Sequence, residues 1–205
     1  MRSEPSDRAE MVNQLLAGDT FEVVERQEKW SLVRCDYDGY EGWVDNKQYK
    51  TGTPDVQLDE GFCVHEQGCR SGGGVCSPGA VAVERYLGAP YLWGGRTVMG
   101  IDCSGLTQVC FKACGIPLLR DASQQATQGI RVESLQEALR DDLCFFSNDE
   151  GRIVHVGIYL GDGKIVHSSG QVRIDTLTPK GIINDDTHQL THTLHSIRRV
   201  GSQAI

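Results

Sequence analysis

The stretch that most restricts the fold is Arg152–Gly170, RIVHVGIYLGDGKIVHSSG. Two apolar-rich runs flank Gly161-Asp162-Gly163, and strands joined by so short a connection are antiparallel neighbours. Side chains alternate between faces along a strand. Val154, Val156, Ile158 and Leu160 therefore share one face, and His155, Gly157 and Tyr159 the other. Loop length then fixes the register. A two-residue loop sets His167 opposite Ile158 and drives an imidazole into the apolar face. A three-residue loop, with Gly163 left-handed in a bulge, sets His167 opposite Gly157 and Val166 opposite Ile158. Only the second register agrees with the apolar pattern, and it predicts two histidines on one face with a glycine between them.

A nucleophile for such a pair lies upstream, in YLWGGRTVMGIDCSGLTQVC, residues Tyr91–Cys110. Leu106, Val109, Cys110 and Ala113 recur at helical spacing, and Gly115 and Pro117 end the run, so the pattern predicts a helix over 103–114. Asp102 is its expected N-cap and Cys103 falls in its first turn. Unpaired amides there favour negative charge, which predicts a thiol pKa drawn from ~8.5 to ~3.5–7.5. Glycines on both sides would let a substrate backbone approach. Cys110 and Cys114 read as small core residues. A thiolate nucleophile needs an imidazole, and the imidazole an orienting group. The hairpin offers both.

The remaining chain supplies the frame. Ser77 as N-cap, Pro78 at the first helical position and Gly88 at the end mark another helix. A short helical stretch is expected near Glu133–Arg140, and strands at LCFFS and SIRRV. Helices followed by antiparallel strands make an α+β order. Residues 51–76 are dominated by glycine, proline and small polar residues and read as a linker. Residues 1–50 give short strands near Phe21–Glu25 and Trp30–Cys35, with Asp38-Gly39 turning into YEGWVD. RSEPSDRAEMVNQLL gives no opening strand, so this β unit reads as incomplete, which suggests a truncated or misassigned start, and a signal peptide could have been lost with it. A chain of 205 residues holds a small and a medium domain. The formal charge of −8 with no basic stripe excludes a general nucleic-acid binder. No run is long enough to cross a bilayer, and no signal segment opens the sequence. Eight irregularly spaced cysteines predict a largely reduced protein, cytoplasmic or periplasmic.

The stretches APYLWGGRTVMGIDCSGLTQVCF, HVGIYLGDGKIVHSS and RIDTLTP with HSIRRV resemble the NlpC/P60 cysteine peptidases. Residues 77–205 are similar to the whole papain-like catalytic domain, and residues 1–50 to a bacterial SH3 domain without its first strand. The most similar members are γ-D-glutamyl–diamino-acid dipeptidyl-peptidases, in which the SH3 domain helps wall the cleft. The resemblance implies Cys103 as nucleophile, His155 as base and later acid, and His167 as orienter. The Cys103 N–H would stabilise the oxyanion. Tyr91, Trp93, Asp102, Ser104 and Asp121 would line the cleft, against simple packing for Trp93. Tyr40 and Glu10 would meet the substrate's free amine, with a solvated charge the plainer reading of Glu10. Val154 and Ala122 replace polar residues common in relatives. The implied substrate is a murein peptide with a free N-terminal L-Ala, cut between γ-D-Glu and Lys or diaminopimelate by a monomer without cofactor or metal. Cys63, Cys69 and Cys76 have no counterpart in the resemblance.

Other readings compete. One is a general peptidoglycan endopeptidase, and another a non-catalytic module that binds cell-wall peptides. The third is a metal protein, using Cys63, His65, Cys69 and Cys76 or the His188, His192 and His195 of HQLTHTLH. Neither group has the paired short spacings of a zinc site, and the second lacks the glutamate of H-E-x-x-H. Both groups read as solvated loop or strand residues.

Overall fold

The computed structural model describes residues 1–50 and 76–201. The expected linker, with Cys63, His65 and Cys69, lies outside the described residues except for Cys76.

The N-terminal part is an antiparallel sheet of β1 (Phe21–Arg26), β2 (Trp30–Cys35) and β3 (Glu41–Asp45), in that order. Gly39 turns the chain at a φ of 71°, and the Asp38 carboxylate accepts from the Tyr40 N–H at 3.0 Å. The segment read as strandless does pair. Arg2 and Trp43 exchange backbone hydrogen bonds of 2.8 Å, and Arg2 also bridges to Met11. The Trp43 backbone groups on β3's outer edge are thereby satisfied, by a pairing too short to leave a strand pattern in the sequence.

The larger part opens with α1 (Pro78–Tyr86), capped by Ser77, whose hydroxyl accepts from the Ala80 N–H. A small ribbon of β4 (Arg96–Thr97) and β5 (Gly100–Ile101) leads into α2 (Cys103–Ala113). Then come α3 (Ala122–Gln125), β6 (Ile130–Val132) and a single 3-10 turn, Leu135–Glu137, where a longer helical stretch was expected. Strands β7 (Leu143–Ser147), β8 (Ile153–Gly161), β9 (Lys164–Ser169), β10 (Gln171–Thr178), β11 (Gly181–Ile183) and β12 (Leu190–Arg199) complete it. They pair in the order β11-β10-β9-β8-β7-β12-β6, and β11 also pairs with β12, closing a ring. One apolar cluster joins the helices to the outer face through Leu106, Val109, Phe111, Val156, Ile158 and Val166. The other fills the inner face with Cys144, Phe146, Tyr159, Ile165, Ile182 and Ile197.

The β8–β9 hairpin reaches the expected register by another route. Asp162 and Gly163, at φ of 51° and 69°, form a two-residue turn closed by Gly161 opposite Lys164. A bulge between Tyr159 and Gly161 absorbs the odd residue, so His167 faces Gly157 and Val166 faces Ile158. A second irregularity, opposite Phe146 and Ser147, turns Val154 out of the core to 53% exposure. The expected apolar face therefore begins at Val156.

A disulfide joins Cys76, just before α1, to Cys114, just after α2, with Cα atoms 5.4 Å apart. Cys114 is thus not reduced, and it packs only partly buried against the core. It sits past the helix end where the chain enters α1, while Cys110, one turn earlier, is fully buried.

Candidate active site

Contacts between the two parts set one wall of the site. The Arg96 guanidinium donates to the Gln14 carbonyl at 2.8 Å and to Asp19 at 3.0 Å, and Lys112 donates to Asp19 at 3.1 Å. Gln108, fully buried on α2, donates to Asp38 at 2.7 Å. Arg120 donates to Asn13 at 2.9 Å. These bonds hold the β2–β3 loop and the Glu10–Gln14 segment over the N-terminal end of α2. Between them lies a cleft of about 520 Å3 lined by Glu10, Tyr40, Trp93, Asp102, Cys103, Ser104, Asp121 and Val154, among others. Trp93 is 57% exposed there and does not serve as core packing. Glu10 is exposed but borders the cleft rather than open surface alone.

Cys103 occupies the first position of α2, with Asp102 as N-cap accepting from the Gly105 N–H at 2.6 Å. The neighbouring glycines serve internal packing rather than substrate approach. A Cβ on Gly105 would meet the Gly95 carbonyl and the Asp102 carboxylate, and one on Gly100 would meet the Leu92 side chain. The expected low thiol pKa is not what this environment produces. Burial, and then the Asp102 carboxylate, push the Cys103 thiol up to about 11, although the Val156 and Ser104 amides and Arg120 favour the thiolate. Tyr91 stands close enough to feel the charges of Cys103 and Asp102, and burial first of all raises its phenol to about 12.

Asp102 carries more than its capping bond. Its carboxylate accepts from the Gly94 N–H at 2.8 Å and from Arg120 at 2.6 and 3.1 Å. Arg120 is 1% exposed and also donates to the Ser104 hydroxyl at 2.9 Å. Sequence reading passed over Arg120, which precedes Asp121 in LLRDAS. Asp121 caps α3, and its carboxyl is raised by burial against the pull of Arg120. Burial also raises the Tyr40 phenol to about 12, with Asp121 the next contributor.

The two hairpin histidines meet directly. His155 Nε2 lies 2.9 Å from His167 Nδ1, and His167 Nε2 lies 3.0 Å from Asp175 Oδ2. Asp175 is a group the sequence reading did not single out. Arg173 stands opposite His167 and Asp175 opposite Ile165, so all four share one face. Burial opposes ionisation of Asp175, but hydrogen bonds from His167, Arg173 and the Asp185 N–H outweigh it and hold the carboxyl well below its usual range. The hydrogen-bond chain then assigns the tautomers. An ionised Asp175 accepts the His167 Nε2 proton, and where His167 carries that single proton its Nδ1 accepts from His155 Nε2–H. That leaves the His155 Nδ1 lone pair free. The thiol is hydrogen-bonded to neither imidazole among the described residues, but the Val156 amide that points at it belongs to the residue next to His155.

His192, read as solvated, is half-buried against this pair. Its ring stacks on His155 with centroids 4.1 Å apart and planes 26° from parallel, and Phe146 packs on both rings. Burial, and then the positive charge that His167 would acquire on protonation, lower the His192 pKa to about 4. Burial likewise holds His155 well below 6.5. His188 and His195 do not join them: the histidines whose ring nitrogens gather among the described residues are His155, His167 and His192.

Comparison with known proteins matches both parts. Residues 1–48 fit the model of the bacterial dipeptidyl-peptidase SH3 domain. A gamma-D-glutamyl-L-lysine dipeptidyl-peptidase of Bacillus subtilis is 46% identical over 98 residues, 45% of this chain and 33% of that protein. One of Bacillus cereus is 38% identical over 98 residues, 47% of this chain and 29% of that protein. The match thus spans about a third of these relatives' length or less. In structure, an NlpC/P60 family protein of Bacillus cereus superposes over 97% of this chain and 59% of its own, with a TM-score of 0.50 at 24% identity. NlpC2 of Trichomonas vaginalis does so over 98% of this chain and 69% of its own, at 0.51 and 22%. These two matches concern the fold. The family model itself fits residues 88–191, the span that carries the thiol, both hairpin histidines and Asp175, and on that fit the chain belongs to the NlpC/P60 family.

Proposed function

We propose that this chain is a cysteine peptidase that cuts the bond between γ-D-Glu and Lys or diaminopimelate in murein peptides. One observation carries the reading: a cysteine at the head of a buried helix, in a cleft beside a His155–His167–Asp175 chain. In this reading residues 1–50 form an SH3-like domain that walls the cleft, and residues 77–205 form the catalytic domain.

Cys103 Sγ transfers its proton to His155 Nδ1 and attacks the scissile carbonyl carbon. The Cys103 N–H, an orphan donor at the helix start, stabilises the oxyanion with the helix N-terminus. His155 returns the proton to the leaving amine, and water then hydrolyses the thioester with His155 as base. His167 keeps the His155 lone pair aimed at the thiol. Tyr91, Trp93 and Ser104 border the substrate backbone. Arg120 offsets the charge of Asp102, so Glu10 and Asp121, with Tyr40, supply the uncompensated polar groups for an ammonium, and Asp102 adds its rim.

The test is hydrolysis of L-Ala-γ-D-Glu-L-Lys against its N-acetylated form, with Cys103→Ser as control. Release of lysine from the free peptide only, and none by the serine variant, is the expected result. Equal rates for both peptides would replace this reading with a general wall endopeptidase. Undiminished turnover by Cys103→Ser would end the cysteine mechanism.

A further inference from the structure

The His155–His167–His192 cluster has a property that peptide hydrolysis does not use. Its three ring nitrogens all lie within 4.8 Å of one another. His167 Nε2 is bonded to Asp175 at 3.0 Å, and His192 Nδ1 lies 2.9 Å from the Thr191 hydroxyl. That leaves His192 Nε2 without such a partner, and His167 Nδ1 already lies 2.9 Å from His155 Nε2. An imidazole whose far nitrogen is held by a carboxylate is the usual way a protein orients a zinc-bound histidine.

We propose that His155 Nε2, His167 Nδ1 and His192 Nε2, converging beside the Asp175 carboxylate, bind one zinc ion, and that the bound ion switches off the thiol's base. The inhibition half rests on the peptidase reading above; the binding half does not.

Binding needs a local rearrangement in which the His192 ring, stacked on His155 with centroids 4.1 Å apart, turns its lone pair off the stack toward the other two nitrogens. Tetrahedral zinc with Zn–N of ~2.0–2.1 Å separates its nitrogens by about 3.3 Å. The His155–His167 pair stands at 2.9 Å and must open slightly, while His192 closes from within 4.8 Å. Three imidazoles suit zinc, copper or nickel and not magnesium or calcium, which take oxygen ligands. A fourth position is left for water.

Inhibition follows from the proton count. In the metal-free chain His155 carries its proton on Nε2, donated to His167, and its lone pair on Nδ1. Zinc takes the Nε2 lone pair, so the proton moves from Nε2 to Nδ1 within the same ring. No proton is lost and no other group changes charge. The nitrogen offered to Cys103 becomes a donor, and the thiol loses its acceptor.

The test titrates zinc into the full chain carrying Cys103→Ser, by calorimetry, and cobalt(II) by absorption. His192→Phe is the informative partner because a phenyl ring preserves stacking on His155 without a ligand atom. The expected result is a zinc equivalent bound by Cys103→Ser and weakened at least about tenfold by adding His192→Phe, with a cobalt spectrum free of thiolate charge transfer. Asp175→Asn should weaken the same equivalent ~10- to 100-fold. Identical isotherms with and without His192→Phe would overturn the site. In the enzyme with Cys103 intact, turnover should fall at the zinc concentration that fills the site. Filling without inhibition would overturn the second half. Absence of turnover in metal-free enzyme that still takes up zinc on titration would overturn the peptidase reading and leave the site standing.

Discussion

Asp175→Asn isolates the far end of the histidine chain. The substitution keeps the shape of the side chain and removes its charge. In the native chain Asp175 accepts from His167 Nε2 at 3.0 Å and from Arg173 at 2.7 and 2.8 Å, with 1% of its surface exposed. Arg173 keeps a second carboxylate, Asp186, at 2.8 Å, so the variant does not strand a lone guanidinium. The new NH2 also gives up acceptance from Arg173 and, in one orientation, the Asp185 N–H, but the loss that reaches the hairpin pair is one charge-assisted hydrogen bond to a buried imidazole. Such bonds contribute about 1.5–3 kcal/mol, and every 1.4 kcal/mol is tenfold, so kcat should fall roughly 10- to 150-fold. The upper end applies if the amide rotates its NH2 toward His167, which reverses both tautomers and leaves a proton on His155 Nδ1. KM should hold, because Asp175 is not among the residues lining the cleft. Steady-state release of lysine from L-Ala-γ-D-Glu-L-Lys measures both constants, and near-ultraviolet circular dichroism checks the fold. A folded variant within threefold of the native kcat would refute the chain from Asp175 through His167 to His155.

Four further outcomes follow from the same coordinates. In Gly157→Ala the new Cβ would stand 3.0 Å from His167 Cβ and 2.8 Å from the tip of Ile165, so His167 shifts; kcat should drop with a stability loss of ~1–3 kcal/mol in denaturant titration, and an unchanged kcat would show that His167 tolerates displacement. Alkylation of Cys103 by iodoacetamide, followed on its own peptide by mass spectrometry, should rise about tenfold per pH unit from 7 to 9, because the thiol titrates at about 11; a plateau near neutrality would mean a resting thiolate. Conversely, His155 is held neutral below 6.5, so peptide turnover should survive acidification through pH 6 and decline only below it. Cys114→Ser opens a link between residues 38 apart, which should cost about 4 kcal/mol by loop entropy, read as a lower denaturant midpoint; an unshifted midpoint would contradict the pairing.

The parts of the fold that were legible were those whose pattern is local. Ser77-Pro78 and Asp102 announce helix starts because capping needs a side chain at one fixed offset. LCFFS and Trp30–Cys35 matched strand limits because runs of apolar and β-branched residues have few alternatives. β10, β11 and most of β12 were not assigned. Their burial alternates with many polar residues, and β11 has only three residues whose pairing with β12 depends on ring closure. The hairpin is an intermediate case. The apolar faces demanded an odd residue between Gly157 and His167, and that parity was readable. Whether the loop or the strand absorbs it was not, since Gly161, Asp162 and Gly163 all adopt positive φ and suit either arrangement.

The site divides along the same line, and the division explains why its charge state was misjudged. Cys103, His155 and His167 sit at positions fixed by one helix start and one hairpin, so their association needed only short-range rules. Arg120 reaches Asp102 across 18 residues and Asn13 across 107, and it is the group that makes Asp102 a buried, compensated carboxylate. A helix N-terminus alone favours a thiolate. Burial and the Asp102 carboxylate both oppose it, and the compensation by Arg120 is shared among Asp102, Ser104 and Asn13 rather than directed at the sulfur. A thiol that stays protonated at rest needs a base that is neutral at rest. The ring environment around His155 supplies that condition: Phe146 and His192 cover it, and burial keeps it uncharged. The two departures from the simple thiolate picture therefore belong together. Proton transfer from Cys103 to His155 becomes a step of the reaction itself, which places the demand on the lone pair at Nδ1 and hence on Asp175.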